Sequence, residues 1–207
     1  MKPNLSGCFI VILCLSLNSC KQLVLKFAGI RTPKVESQQT VQKFLTRIGQ
    51  DTSYTFTLDS ALFMEMQHSA FKPGWDSGFR PFQIRVYDRS GQPVMQWAPC
   101  EGTLKELTPF DSVPPKNING LNTELTLTDD LGRYYLLTGL KARINIPADH
   151  DYVIIVLFAK WYAGLTRQIF HQVDHYVKAH PELKIMVYKI CVDFMDFWGT
   201  EPVITLY

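Results

Sequence analysis

Tyr152-Val-Ile-Ile-Val-Leu-Phe-Ala159 is a continuous apolar run rich in β-branched residues. A strand that is apolar on both faces is one covered on both faces, as in parallel sheets. At about 3.3 Å per residue the run spans roughly 26 Å, enough for a central strand. Lys160-Trp161-Tyr162-Ala163-Gly164 interrupts the pattern, and from Leu165 the period changes. Leu165, Ile169, Phe170, Val173, Tyr176 and Val177 recur at helical spacing, with Arg167, Gln168, His171, Gln172, Asp174, His175 and Lys178 opposite them. That pattern predicts an amphipathic helix lying on the sheet. Lys178 and His180 suit its C-terminal end, and Pro181 stops it. Leu183 to Val192 is a second, largely apolar strand. Strand, helix and strand with short links make a βαβ unit over 152–193, with parallel strands and a right-handed crossover expected.

Phe158-Ala-Lys-Trp161-Tyr-Ala-Gly-Leu-Thr-Arg167 resembles the strand end, tryptophan, active-site turn and helix start of thioredoxin-like (redoxin) domains. Ile190-Cys-Val-Asp193 resembles the end of their next strand. More closely, the pattern from Leu157 to Trp198 is similar to uncharacterised bacterial lipoproteins whose thioredoxin-like domain keeps the Trp and Gly but lacks the Cys-x-x-Cys. The resemblance implies an α/β fold, a thioredoxin-like three-layer sandwich around the βαβ unit (152–193). A hairpin would precede that unit, and a large insertion would separate the two.

Laid on residue by residue, Tyr162 falls where the family's first active-site cysteine belongs and Leu165 where the second does. The family's chemistry needs a thiolate at a helix N-terminus and a resolving thiol. Tyr and Leu supply neither, so no catalytic residue is expected. The retained surface of Trp161, Tyr162, Gly164 and Leu165 is expected to be an interaction surface. Thr166 lies near the helix start with no base identifiable beside it, and reads as a cap or packing residue. Family members continue with a helix, a strand preceded by a cis-proline, and a last strand and helix. Here Asp196 to Pro202 is short and Val203–Tyr207 is the last plausible strand, with Pro202 as counterpart of that proline. The sheet is therefore expected to be truncated, or to take an edge from N-terminal segments.

Residues 1–19 read as a signal peptide, with Lys2 at the positive end and Cys8 to Leu17 as an apolar core shorter than a membrane span of about 20 residues. Leu17-Asn-Ser-Cys20 resembles a bacterial lipobox, which implies lipidation of Cys20. Lys21 follows instead of an Asp, so the resemblance implies an outer-membrane anchor facing the periplasm. Residues 20–37 are expected to be the lipidated N-terminus and tether, and residues 38–207 a single domain. The expected partners are the membrane, through that lipid, and an unknown envelope protein. The formal charge of +2 and the lack of a basic block argue against nucleic acid.

Within the domain, Val41, Phe44, Leu45 and Ile48 predict a helix capped by Ser37 and stopped by Gly49. Tyr54–Leu58 reads as a short strand and Ser60–His68 as a short helix. Lys72–Pro81 is a loop by composition, with Trp75 as its anchor or as a contact residue. Phe82 to Tyr87, Asp88-Arg-Ser-Gly91 and Gln92 to Trp97 form the clearest hairpin (82–97), with Phe82, Ile84 and Val86 alternating with Gln83, Arg85 and Tyr87. Cys100 to Asp151 is the insertion. Inside it, Pro109–Gly120 is loop, Thr128–Leu137 is expected helical with Asp129 and Asp130 as first-turn charge, and Ala142–Pro147 reads as a short strand.

Of the five cysteines, Cys8 and Cys14 would leave with the signal and Cys20 would carry lipid. Cys100 and Cys191 are then two separate buried thiols, a structural disulfide or a redox pair; the last would make the protein a thiol–disulfide oxidoreductase with an atypical site. His171 and His175 have zinc-compatible spacing but fall on the solvated helix face, and Asp149-His150-Asp151 reads as a loop. No metal or cofactor is expected.

Overall fold

The computed structural model describes residues 31–70, 82–98, 110–115, 125–142, 144, 146 and 148–199. The expected lipidation site Cys20, the Trp75 loop, Cys100, Pro202 and the strand expected over Val203–Tyr207 lie outside the described residues.

The chain is mixed α/β. The run that opened the sequence reading is strand β6 (Tyr152–Phe158), and it pairs in parallel with β7 (Ile185–Cys191) along its whole length. Helix α4 (Ala163–Ala179) joins them. The six-stranded sheet is completed by four strands that all precede β6 in the chain. On one side lies the hairpin, β3 (Gln83–Asp88) antiparallel to β6 and β4 (Pro93–Trp97) antiparallel to β3. On the other, β2 (Thr55–Thr57) runs parallel to β7, and β5 (Tyr135–Leu136) is antiparallel to β2. The order is β4-β3-β6-β7-β2-β5. N-terminal segments thus supply both flanks. A separate two-stranded pair joins β1 (Val35–Glu36) in parallel to β8 (Phe194–Met195).

Strand alternation sorts the helices by face. Phe158 stacks on Phe44 of α1 (Gln38–Arg47) and meets Phe170 of α4 edge-on, so both helices cover the face that Phe158 presents. Arg85 and Tyr87 lie opposite Ile155 and Val153, on the other face, and bond there to Asp130 of α3 (Leu127–Leu131). Helix α2 (Ser60–Ala70) is tied to that side by the Arg133–Glu65 ion pair. Val153 to Ala159 are all fully buried, as a strand covered on both faces must be. Among the described residues no helix is long and apolar enough to cross a membrane.

Local chemistry explains the ends. Ser37 caps α1 in a reciprocal box with Thr40, and Gly49 follows the helix at φ +81°. Gly91 turns the hairpin at φ +80°, and its carbonyl accepts the Leu127 N–H, which sets α3 over the sheet. Two expectations need correction. The helix expected over Thr128–Leu137 is only the short α3: Gly132 ends it, and Tyr135–Leu136 are recruited as an edge strand by β2. The tether expected over residues 20–37 belongs to the fold from Arg31 onward, since Val35–Glu36 is β1. Ala142, Ile144 and Ile146 are in no strand; the rest of that stretch is outside the described residues, apart from a single bridge between Lys141 and Tyr135.

Gly139 turns the chain after β5 at φ +85°, and a Cβ there would stand 2.8 Å from the ring of Phe197. Gly139→Ala is expected to cost about 2 kcal/mol, combining left-handed backbone strain with overpacking. Urea unfolding measures it; an unchanged midpoint would mean this turn does not pack on Phe197.

Candidate functional site

Two polar constellations lie at the sheet. The first surrounds the β6–α4 turn, at the carboxyl ends of the two central parallel strands, the end where open α/β sheets receive ligands. Val192 donates its N–H to the Phe158 carbonyl and closes the strands together there. Asp193 follows at once, and its Oδ2 accepts the backbone N–H of Lys160 at 2.7 Å and the Cys191 thiol at 3.2 Å. The Lys160 ammonium pairs with Glu36 of β1. Arg31 donates its N–H to the Trp161 carbonyl at 2.6 Å. Thr166 does not cap α4; its hydroxyl donates to the Ala159 carbonyl at 2.7 Å and is fully buried.

Burial dominates the electrostatics. It raises the Asp193 carboxyl to about 6, against the pull of the Lys160 N–H and of the Cys191 thiol. Burial, followed by the Asp193 charge, pushes the Cys191 thiol well above its ordinary value. A nucleophilic cysteine needs the opposite setting, an electropositive and accessible one. Cys191 is a fully buried free thiol.

The four residues expected as an interaction surface divide. Tyr162 is buried against Phe82, with ring centroids 5.2 Å apart, and Leu165 is in the core. Trp161 and Gly164 keep partial exposure, and Trp161 rests edge-on against Phe82 while stacking on Tyr162. So Tyr162 and Leu165 support the turn from beneath, and Trp161 is its outward aromatic. Trp161 opens on a cleft of about 180 Å³ between the Arg31–Glu36 strap, α1 and the start of α4. Five basic side chains line it, Arg31, Lys34, Arg47, Lys160 and Arg167, against the single carboxylate of Glu36. His171 and His175 sit on the exposed face of α4, away from the buried stripe.

The second constellation is buried on the opposite face. Asp130 accepts Arg85 Nη1 at 2.6 Å and the Tyr134 hydroxyl at 2.6 Å on one oxygen, and the Tyr87 hydroxyl at 2.7 Å on the other. Arg85 donates from its Nε and Nη2 to the side-chain Oε1 of Gln83. Asp130 has no exposed surface and Arg85 only 7%. Desolvation and the Asp130 charge push both phenols far above their usual range, so the two tyrosines remain proton donors at every physiological pH. Asp130 stands in the first turn of α3, as expected of first-turn charge, and is in addition the centre of this network. The one signal for it along the chain is Gln83 and Arg85 alternating with apolar residues in β3, but such alternation reads first as a solvated face. The Glu36–Lys160 contact was also missed, because the two lie 124 residues apart.

The chain was compared with protein-family models, with curated proteins and with solved structures, and it matches none of them.

Proposed function

We propose that the protein is a lipid-anchored component of the cell envelope, facing the periplasm from the outer membrane. Its thioredoxin-like domain is non-catalytic and acts as a binding or support module through the turn at Trp161. The observation that carries this is the chemistry of the turn itself. A thioredoxin-like turn works through a thiolate at the start of the helix. Here that position holds Tyr162, buried on Phe82, and the second holds Leu165, in the core. The pairing of β6 with β7 in parallel through α4, and the antiparallel strand beside β6, agree with a thioredoxin-like sheet. The hairpin that supplies this strand comes before the central unit.

The competing reading is an oxidoreductase using Cys100 and Cys191. The raised thiol of Cys191, buried beneath the Asp193 carboxyl, weighs against it. On the full-length chain, insulin reduction in dithiothreitol is expected to run at the rate of the Cys191→Ser variant. In the same preparation, peptide mass spectrometry after alkylation is expected to find Cys191 unmodified in the native protein and modified in urea. Turnover that disappears in Cys191→Ser would replace the module by an enzyme.

A further inference from the structure

We propose that the cleft beside Trp161 is a binding site for a phosphate group, carried by a ligand with an apolar or planar part that rests on the indole. The inference rests on the binding-module reading above and names what the turn binds. Three observations on different elements carry it. The cleft is lined by the Arg31–Glu36 strap, by α1 through Phe44 and Arg47, and by the start of α4 through Ala163 and Arg167. Its charge is one-sided. Lys160 is paired with Glu36, whereas among the described residues Arg31, Lys34, Arg47 and Arg167 have no carboxylate within ion-pair distance. Four cations drawn from three separate elements to one concavity repel one another. Folding accepts that repulsion here, although the whole chain carries a net charge of only +2.

The third observation is the floor. Helix α4 is 17 residues long, and its N-cap residue Tyr162 makes no side-chain cap bond, so the first N–H groups are left without that partner. Ala163, the first residue of α4, lines the cleft. The positive end of the helix therefore adds to the arginines. A volume near 180 Å³ suits a phosphate group and part of what bears it, and not an extended polyanion. Arginine is the side chain that meets a phosphate with two parallel hydrogen bonds, and three of the four unpaired cations are arginines. Trp161 supplies the one large apolar wall next to them, with Phe44 behind. The phosphate could belong to a soluble monoester or to a phospholipid headgroup; the recognising chemistry is the same.

The test uses the full-length chain in neutral detergent. Phenyl phosphate and inorganic phosphate are titrated while tryptophan emission and the unfolding temperature are followed. Separately, co-flotation is measured with vesicles of phosphatidylcholine alone and of phosphatidylcholine with phosphatidylglycerol. The expected result is saturable binding of phenyl phosphate with a Kd of about 1 mM or tighter, and stronger than that of inorganic phosphate. Binding should weaken about tenfold or more in Arg47→Gln/Arg167→Gln, and similarly in Lys34→Glu, since each removes charge-assisted bonds. These side chains are exposed, so the variants should unfold at the parent temperature in the absence of ligand. Lys178→Gln, at the far end of α4, should bind as the parent does. Binding of phenyl phosphate without vesicle preference assigns a soluble ligand, and greater flotation with the anionic than with the neutral vesicles, the excess being lost in the variants, assigns the headgroup. Absence of both, or affinity unchanged in Arg47→Gln/Arg167→Gln, overturns the proposal. The insulin assay on the same preparation separates the two failures. No phosphate binding with no turnover removes only the ligand class, whereas turnover removes the module itself.

Discussion

Asp130→Ala is expected to destabilise the protein by about 3–5 kcal/mol, the cost of removing one partner from a buried ion pair. The loss is large because the carboxylate serves three donors at once. Arg85 would stay charged and 7% exposed with only the Gln83 side-chain oxygen and a long 3.5 Å contact to the Tyr134 hydroxyl left to it, and the Tyr87 and Tyr134 hydroxyls would lose their acceptor. Each buried donor left unsatisfied adds of order 1 kcal/mol or more. Urea unfolding at neutral pH measures the effect. Asp130→Asn keeps an acceptor in place but not the charge, and is expected to fall between the parent and Asp130→Ala. The double variant Arg85→Met/Asp130→Leu should recover most of the loss, because it leaves no orphaned charge behind. A loss below about 1 kcal/mol in Asp130→Ala, the range of an exposed pair, would show that water reaches the cluster.

The second large effect depends on pH. In the folded chain the Asp193 carboxyl ionises at about 6, raised by burial from 3.8. A rise of that size corresponds to about 3 kcal/mol. The sign follows from which state holds the proton. Below about pH 4 the group is neutral in both states and costs nothing; between about 4 and 6 the unfolded chain gives up its proton first, so stability falls as pH rises, and above that the full cost remains. Asp193→Asn removes this titration. Its amide oxygen can still accept the Lys160 N–H, while the other donors and charges around it, Cys191, Lys160 and Glu36, are unchanged. The variant is therefore expected to be more stable than the parent at pH 8, by up to about 3 kcal/mol less what the altered thiol contact loses, and nearly equal to it at pH 4. Urea midpoints across that range give the answer. A difference independent of pH would mean that Asp193 ionises as an exposed carboxyl does.

The centre of the fold was legible because its physics is local. Val153 to Ala159 need cover on both faces and so announce a central strand, and the stripe from Leu165 to Val177 can be read from spacing alone. Gly91 marked the hairpin for the same reason: a residue at φ +80° in a tight turn is most easily a glycine. What stayed hidden was assembled from a distance. Strand β2 falls inside the stretch read as a strand, Tyr54–Leu58, but its partner β5 has only two residues, too few for a periodic signal, and owes its conformation to β2. Arg85 and Asp130 are 45 residues apart, and neither announces the other. The basic cleft is of the same kind, since Arg31, Arg47 and Arg167 are scattered along the chain and only the fold makes them neighbours.

The sheet order also has a consequence in time. Within the sheet, strands β6 and β7 join the β3–β4 flank to the β2–β5 flank, and both follow them in the chain. A ribosome making this protein therefore releases four strands before the two that join them. Until residue 158 is free the β3 edge of the hairpin is open, and until residue 191 is free β2 has no parallel neighbour to pair with. Contacts of such long sequence separation form late and slowly, and open edges in the meantime favour association with other chains. Chains ending before residue 191 are therefore expected to associate with one another more readily than the whole chain.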